Sequence, residues 1–199
     1  MKIIKYVKKN NNNYDIYLDN DKKITINEDI ILKHKLLFKK EIDDKLLKEL
    51  NKDNDDYDIY NKCVKYIGVR LRSTNEIKEY MKRKNIDDNL IYKTIDKLNK
   101  NKLLDDEAFT KAFIHDKLNF TTMGPYKIRL ELGKHKIDNS IIDKYIYDID
   151  EEFLNDKINK QINKLLKKKN TNKNKIYHYL LNLGYSSELI LNNLNNYDL

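Results

Sequence analysis

The side chains of this 199-residue sequence that could do chemistry are few and scattered. Five acid pairs, Asp43-Asp44, Asp55-Asp56, Asp87-Asp88, Asp105-Asp106 and Glu151-Glu152, are what a metal-dependent nuclease would gather around a divalent cation. Their positions favour another role. They are expected at helix starts, where carboxylates complement the helix dipole and accept bonds from free amides. His34, His115, His135 and His178 fall in different segments without metal-ligand spacing. Gly133-Lys134-His135 lacks both the upstream glycine and the Ser/Thr of a phosphate loop, and four glycines in all are too few for a dinucleotide loop. Cys63 stands alone on an apolar helical spacing, as a small core residue would. No catalytic residue, metal site or cofactor is expected.

The cations are more informative. Positive charge concentrates at residues 59–104, where 12 lysines and arginines face 5 acids for a net +7, with a second focus at Lys167, Lys168 and Lys169. Concentrated charge suits a polyanionic or acidic partner, and a solvated lysine surface explains it equally well. Arginine offers a planar fork for carboxylate or phosphate that lysine lacks. The chain has only four arginines, and two of them, Arg70 and Arg72, stand just before a helix along which Lys78, Lys82 and Arg83 follow. Lys127, Arg129 and Lys134 are placed similarly some fifty residues on, and these residues with Lys167 and Lys168 are the candidate partner-binding or DNA-binding set.

The elements that must position these cations follow from periodicity. Ile77, Met81, Ile86, Leu90, Ile91, Ile95 and Leu98 fall at an offset of 51 on Ile128, Leu132, Ile137, Ile141, Ile142, Ile146 and Ile149. At an offset of 99 they fall on Ile176, Leu180, Tyr185, Leu189, Ile190, Leu194 and Tyr197. The polar positions agree. Ser73, Gly124 and Asn172 stand at the N-caps of the middle helices, with Pro125 at a first helical position, and Asp87, Asp138 and Ser186 stand at those of the last helices. Each last helix also carries a hydrophobic staple, Ile86 with Ile91, Ile137 with Ile142 and Tyr185 with Ile190. Each unit opens with an apolar helix. The chain therefore reads as mainly α, with three tandem three-helix repeats at 59–104, 105–150 and 151–199 stacking into an elongated, curved body.

Residues 1–50 read differently. IIKYVK, YDIYLD and ITI, separated by NNNN and NDKK, have the pattern of a small β-hairpin or three-stranded meander, and from Glu28 to Leu50 the spacing turns helical. The segment NKDNDDYD at 51–58 has almost nothing to bury and is expected to be an acidic linker. Short apolar runs predict no membrane span, the N-terminus lacks the apolar core of a signal peptide, and a single cysteine suits a reducing compartment, so a cytoplasmic monomer is expected.

Three motifs resemble one family in order and spacing: Arg70-x-Arg72-Ser73-x-x-Glu76-Ile77; Leu104-Asp105-Asp106-Glu107 with Phe109; and Gly124-Pro125 with Ile128, Glu131 and Leu132. Over residues 60–199 the chain is similar to the RecX family, the regulatory proteins of the bacterial recombinase RecA, and its N-terminal part resembles the strand-rich extension of many members. The resemblance implies a non-enzymatic inhibitor that lies in the groove of a RecA filament on single-stranded DNA. There it suppresses ATP hydrolysis and strand exchange, and direct contact of its basic face with DNA stays open. A basic helical-repeat protein that binds DNA non-specifically is the alternative. The chain departs from the family pattern at Leu71, where proline is frequent, and at His115-Asp116-Lys117, where arginines are. Glycine is common at the end of the middle helix and is kept as Gly184, while Asn85 and Lys136 replace it in the other repeats. Asparagine tolerates the left-handed conformation of that position better than lysine does.

Overall fold

A computed structural model describes residues 1–168 and 171–197; Lys169 and Asn170 lie outside the described residues. Three strands open the chain, β1 (Ile3–Lys8), β2 (Asn13–Leu18) and β3 (Lys23–Asn27), in an antiparallel sheet of order β1-β2-β3. The β1–β2 turn is made by Asn11 and Asn12, both at φ 57, which suits a tight hairpin because asparagine tolerates positive φ and such turns follow the strand twist. Ile16, Leu18 and Ile26 turn one face of the sheet onto a core completed by Ile30, Ile31, Leu36, Ile42 and Leu50.

The helical stretch expected from Glu28 to Leu50 is interrupted. Helix α1 (Glu28–Lys33) ends at His34, Lys35 adopts a left-handed conformation at φ 50, and a single 3-10 turn, Leu36–Phe38, follows. The chain then runs extended, because Ile42 is wholly buried and its backbone bonds to Met1: the N-terminal ammonium donates to the Ile42 carbonyl at 3.0 Å and the Ile42 amide to the Met1 carbonyl at 2.8 Å. Helix α2 (Asp44–Val69) begins behind the Asp43 cap.

Residues 51–58 are not a linker. They lie in the middle of α2, and Asp55-Asp56 is consequently not at a helix start. The stretch contains no glycine or proline to break a helix, and its polar side chains hold the N-terminal elements in place of an apolar stripe. Asp53 accepts from Lys33 Nζ and lies 2.6 Å from His34 Nε2, Asn54 Oδ1 accepts from the Asn27 amide at 2.9 Å, and the Tyr57 hydroxyl donates to Asp29 at 2.6 Å.

The remaining helices are α3 (Thr74–Lys82), α4 (Asp88–Lys100), α5 (Asp106–Phe120), α6 (Pro125–Lys134), α7 (Asn139–Ile146), α8 (Glu151–Leu166), α9 (Lys173–Leu183) and α10 (Ser187–Leu194). The threefold register is visible in burial: Ile77, Ile128 and Ile176 are all 0% exposed, and Met81, Leu132 and Leu180 are at most 1% exposed. The expected caps form. Ser73 and Glu76 make a reciprocal capping box, and Asp87, Asp138, Asn172 and Ser186 accept amides of their own first turns.

The chain divides into two compact units, Met1–Arg70 with Ile86–Lys100, and Leu71–Asn85 with Asn101–Leu199. Helix α3 thus groups with the second and third repeats. Inside that second unit those two repeats share one core, running from Phe109 through Ile128, Ile142 and Ile158 to Ile190. Backbone contact joins α6 to the end of α9. The Gly124 amide donates to the Leu183 carbonyl at 2.7 Å and the Tyr126 amide to the Gly184 carbonyl at 3.0 Å, so the free amides of one helix start meet the free carbonyls of another helix end. A Cβ on Gly124 would lie 2.5 Å from the Gly184 carbonyl, and one on Gly184 would lie 2.6 Å from the Lys127 nitrogen.

The helix-end position is left-handed in all three repeats, at φ 56 for Asn85, 53 for Lys136 and 94 for Gly184. The substitutions away from glycine change the cost and leave the conformation. Lys136→Gly relieves a steric cost of roughly 1–2 kcal/mol and adds back about 0.5–1 kcal/mol of unfolded-chain entropy. It should raise stability by about 0.5–1 kcal/mol in urea unfolding. Gly124→Ala should lower it by about 1–3 kcal/mol by forcing the α6–α9 junction apart.

Candidate partner-binding site

The motif residues are occupied by the fold. Glu76 Oε2 accepts the Ser73 amide at 3.1 Å, while its other oxygen lies 3.7 Å from the Arg72 guanidinium. The three acids after the buried Leu104 each hold a different element: Asp105 caps α5 through the Glu107 and Ala108 amides, Asp106 accepts the Thr74 amide of α3 at 2.7 Å, and Glu107 accepts Lys144 Nζ at 2.6 Å together with the Tyr145 hydroxyl. Phe109 is in the core, Gly124 is the close-approach residue of the α6–α9 junction, Pro125 opens α6, and Ile128 and Leu132 are fully buried. Asp106 and Glu107 read in the sequence only as first-turn acids, because nothing local signals a partner 32 or 37 residues away. Lys157 was likewise not legible: its ammonium donates to the Leu118 and Thr121 carbonyls and so caps the C-terminal end of α5.

The candidate cations divide by environment. Arg70 is exposed in the extended conformation that ends α2, whereas the Arg72 side chain is only 11% exposed beside Glu76. On α3, Ile77 and Met81 face the core while Lys78 and Lys82, one turn apart, are exposed and have no carboxylate within 4 Å among the described residues. Arg83 is exposed at the end of that helix, where its Nε donates to the Glu79 carbonyl at 3.3 Å. The second-repeat cations are engaged locally. Arg129 grips Asp143 with two bonds, Nε to Oδ1 at 2.7 Å and Nη2 to Oδ2 at 3.2 Å, tying α6 to α7. Lys134 pairs with Glu131 on its own helix, and Lys127 is half-buried against the Gly184 backbone. Lys167 and Lys168 are exposed at the end of α8.

The register explains the contrast between the two helices. Arg129 occupies the position of Lys78, but Asp143 corresponds to Tyr92, so the second repeat supplies an acid where the first has an aromatic residue. Lys78 and Lys82 thus stand exposed on α3, whereas Arg129, their counterpart on α6, holds two helices together. Arg129 also lines an apolar cleft of about 560 Å³ with Tyr126, Tyr147, Leu154, Leu181 and Leu189.

No group of three His, Cys, Asp or Glu side chains converges among the described residues. Cys63 is fully buried, and that burial pushes its thiol up to about 11, far from the thiolate a nucleophile needs. His135 is enclosed by the Phe109 and Phe113 rings at 5.1 and 5.4 Å. No helix among the described residues is long and apolar enough to cross a membrane.

Successive groups of three helices after a strand-rich N-terminal part define a helical-repeat fold. The chain is similar to the RecX family over most of its length. Two RecX domain models match it, the first three-helix domain over residues 60–98 and the second over 105–146. It is 28% identical over 192 residues to the regulatory protein RecX of Clostridium botulinum, covering 92% of this chain and 89% of that protein. It is 31% identical over 131 residues to that of Geobacillus thermodenitrificans, where the match spans 65% of this chain and 49% of the relative, about half its length. Among solved structures, a regulatory protein RecX superposes with a TM-score of 0.84 at 23% identity, covering 94% of this chain and 96% of its own. RecX from Lactobacillus salivarius superposes with 0.66 at 24% identity, covering 72% and 97%.

The α6–α7 ion pair has a pH signature. The Arg129 guanidinium bonded to Asp143 holds that carboxyl below the usual carboxylate range. A carboxyl with a depressed folded value contributes stability that is present above its unfolded value, near 4, and is lost as pH falls through the folded one. In thermal scans from pH 6 down to pH 2.5, Asp143→Asn should lose less of its melting temperature than the unmodified protein over the acid part of that range. Parallel curves would show that the pair has no such role.

Proposed function

We propose that this chain is a non-enzymatic modulator of the RecA recombinase that binds, as a monomer, in the groove of RecA filaments on single-stranded DNA. By holding successive RecA subunits together it suppresses the conformational cycling on which ATP hydrolysis and strand exchange depend, and so restrains recombination and DNA repair. Similarity to a family of regulatory proteins supports the reading. The observation that carries it is the division of labour among polar residues: the motif acids and caps are consumed by helix ends, while Lys78 and Lys82 stand exposed on α3. Electrostatic and steric obstruction needs such a surface and no catalytic group. We place the first-repeat cations, with Lys167 and Lys168, on the partner face, and assign Arg129 and Lys134 to the scaffold that presents it.

Adding the protein to RecA, ATP and single-stranded DNA should lower the steady-state ATPase rate at or below one molecule per RecA subunit. Replacing Arg70 and Arg72 by alanine should raise the concentration needed for half-inhibition several-fold with helical content by circular dichroism nearly unchanged, and Lys78→Ala with Lys82→Ala should do the same without touching Glu76. Full inhibition by both double variants would refute the assignment. Tight, steeply salt-dependent binding to naked DNA with no effect on RecA would support the reading as a non-specific DNA-binding protein instead.

A further inference from the structure

Between Lys33 and Lys40 the sequence KHKLLFKK carries four lysines and no acid. The fold turns only part of its apolar content inward. Ile30, Ile31 and Leu36 enter the core at 5, 2 and 0% exposure, while Leu32 and Leu37 stand out at 60 and 61%. Phe38, at 88%, is the most exposed large apolar side chain among the described residues. The left-handed Lys35 and the 3-10 turn after it hold this corner, with the Phe38 amide donating to the Lys35 carbonyl at 3.1 Å and the Lys39 amide to the Leu36 carbonyl at 2.9 Å. Lys33 is committed to Asp53. Lys35, Lys39 and Lys40 are exposed and have no carboxylate within 4 Å among the described residues.

A flat aromatic ring presented to solvent between unneutralised cations matches one class of ligand. Single-stranded nucleic acid alternates an exposed base face with a phosphate, so a base stacks on the ring while ammonium groups on either side take the neighbouring phosphates. A bilayer surface suits the corner less well. Insertion requires a continuous apolar face, and here α1 has six residues whose isoleucines already serve the core. We propose that this corner is a single-stranded nucleic-acid contact of the N-terminal unit, with Phe38 as the stacking platform and Lys35, Lys39 and Lys40 as its phosphate ligands. The site lies outside every residue assigned above to the partner surface and does not rest on the RecA reading.

The chain has no tryptophan, so Phe38→Trp places a single reporter in the site. Titrating this variant of the full chain with a 20-residue oligothymidylate, without RecA, should quench its emission saturably and without a blue shift. In the otherwise unmodified protein, Phe38→Ala should weaken oligothymidylate affinity about fivefold or more at unchanged melting temperature. Alanine at Lys35, Lys39 and Lys40 together should flatten the slope of log affinity against log salt by about 2. An unquenched reporter, or an affinity that Phe38→Ala leaves unchanged, would overturn the proposal. So would a blue shift with phosphatidylglycerol vesicles in place of the response to oligothymidylate, since that result identifies a membrane surface.

Discussion

The ends of its helices constrain this protein more tightly than their middles. A short helix leaves four amides and four carbonyls without intrahelical partners, and a repeat of three short helices multiplies that demand within few residues. Side chains of Asp, Asn and Ser meet much of it locally, as at Asp105, Asp138, Asn172 and Ser186. At α6 no side chain does. Gly124 has nothing to cap with, and the start of that helix is instead set against the carbonyls of Leu183 and Gly184. That contact requires two residues without a side chain at the point of approach, and it fixes how the third repeat sits on the second within their common core.

The same demand accounts for the motif that carries the family resemblance. Leu104-Asp105-Asp106-Glu107 satisfies a cap, the amide of Thr74 on α3 and the Lys144-Tyr145 end of α7 within three consecutive acids. Ser73 and Glu76 start α3, and Glu76 also attracts Arg72. These residues are taken up by helix ends and by ion pairs within the fold. The proposed mode of regulation follows: α3 presents Lys78 and Lys82 on the side away from its buried Ile77 and Met81.

The sequence carried the repeat, the caps and the staples plainly, because apolar period and cap type are local signals that recur three times. It misled at residues 51–58, where a lack of apolar residues suggested a linker. Asp53, Asn54 and Tyr57 instead bond to α1 and β3, and a helix can be held by polar contacts as well as by apolar burial. It misled again after Lys33, where the apolar spacing continues but burial of Ile42 against the N-terminus demands extended chain. Within the candidate site, Lys78 and Arg129 looked equivalent. Only the fold shows that Asp143 takes one of them, although the register contained the clue in Tyr92. The left-handed turn at Lys136 shows the reverse case, in which a fold keeps a conformation its residue disfavours because both neighbouring helices require it.

The central claim is that the chain acts by occupying RecA filaments through the cationic face of its first repeat. Electron microscopy of RecA filaments on single-stranded DNA, formed with a non-hydrolysable ATP analogue and an excess of the protein, tests it most directly. The account predicts regular density along the helical groove, with α3 turned toward RecA or the DNA. Bare filaments, or density confined to free DNA, would contradict it.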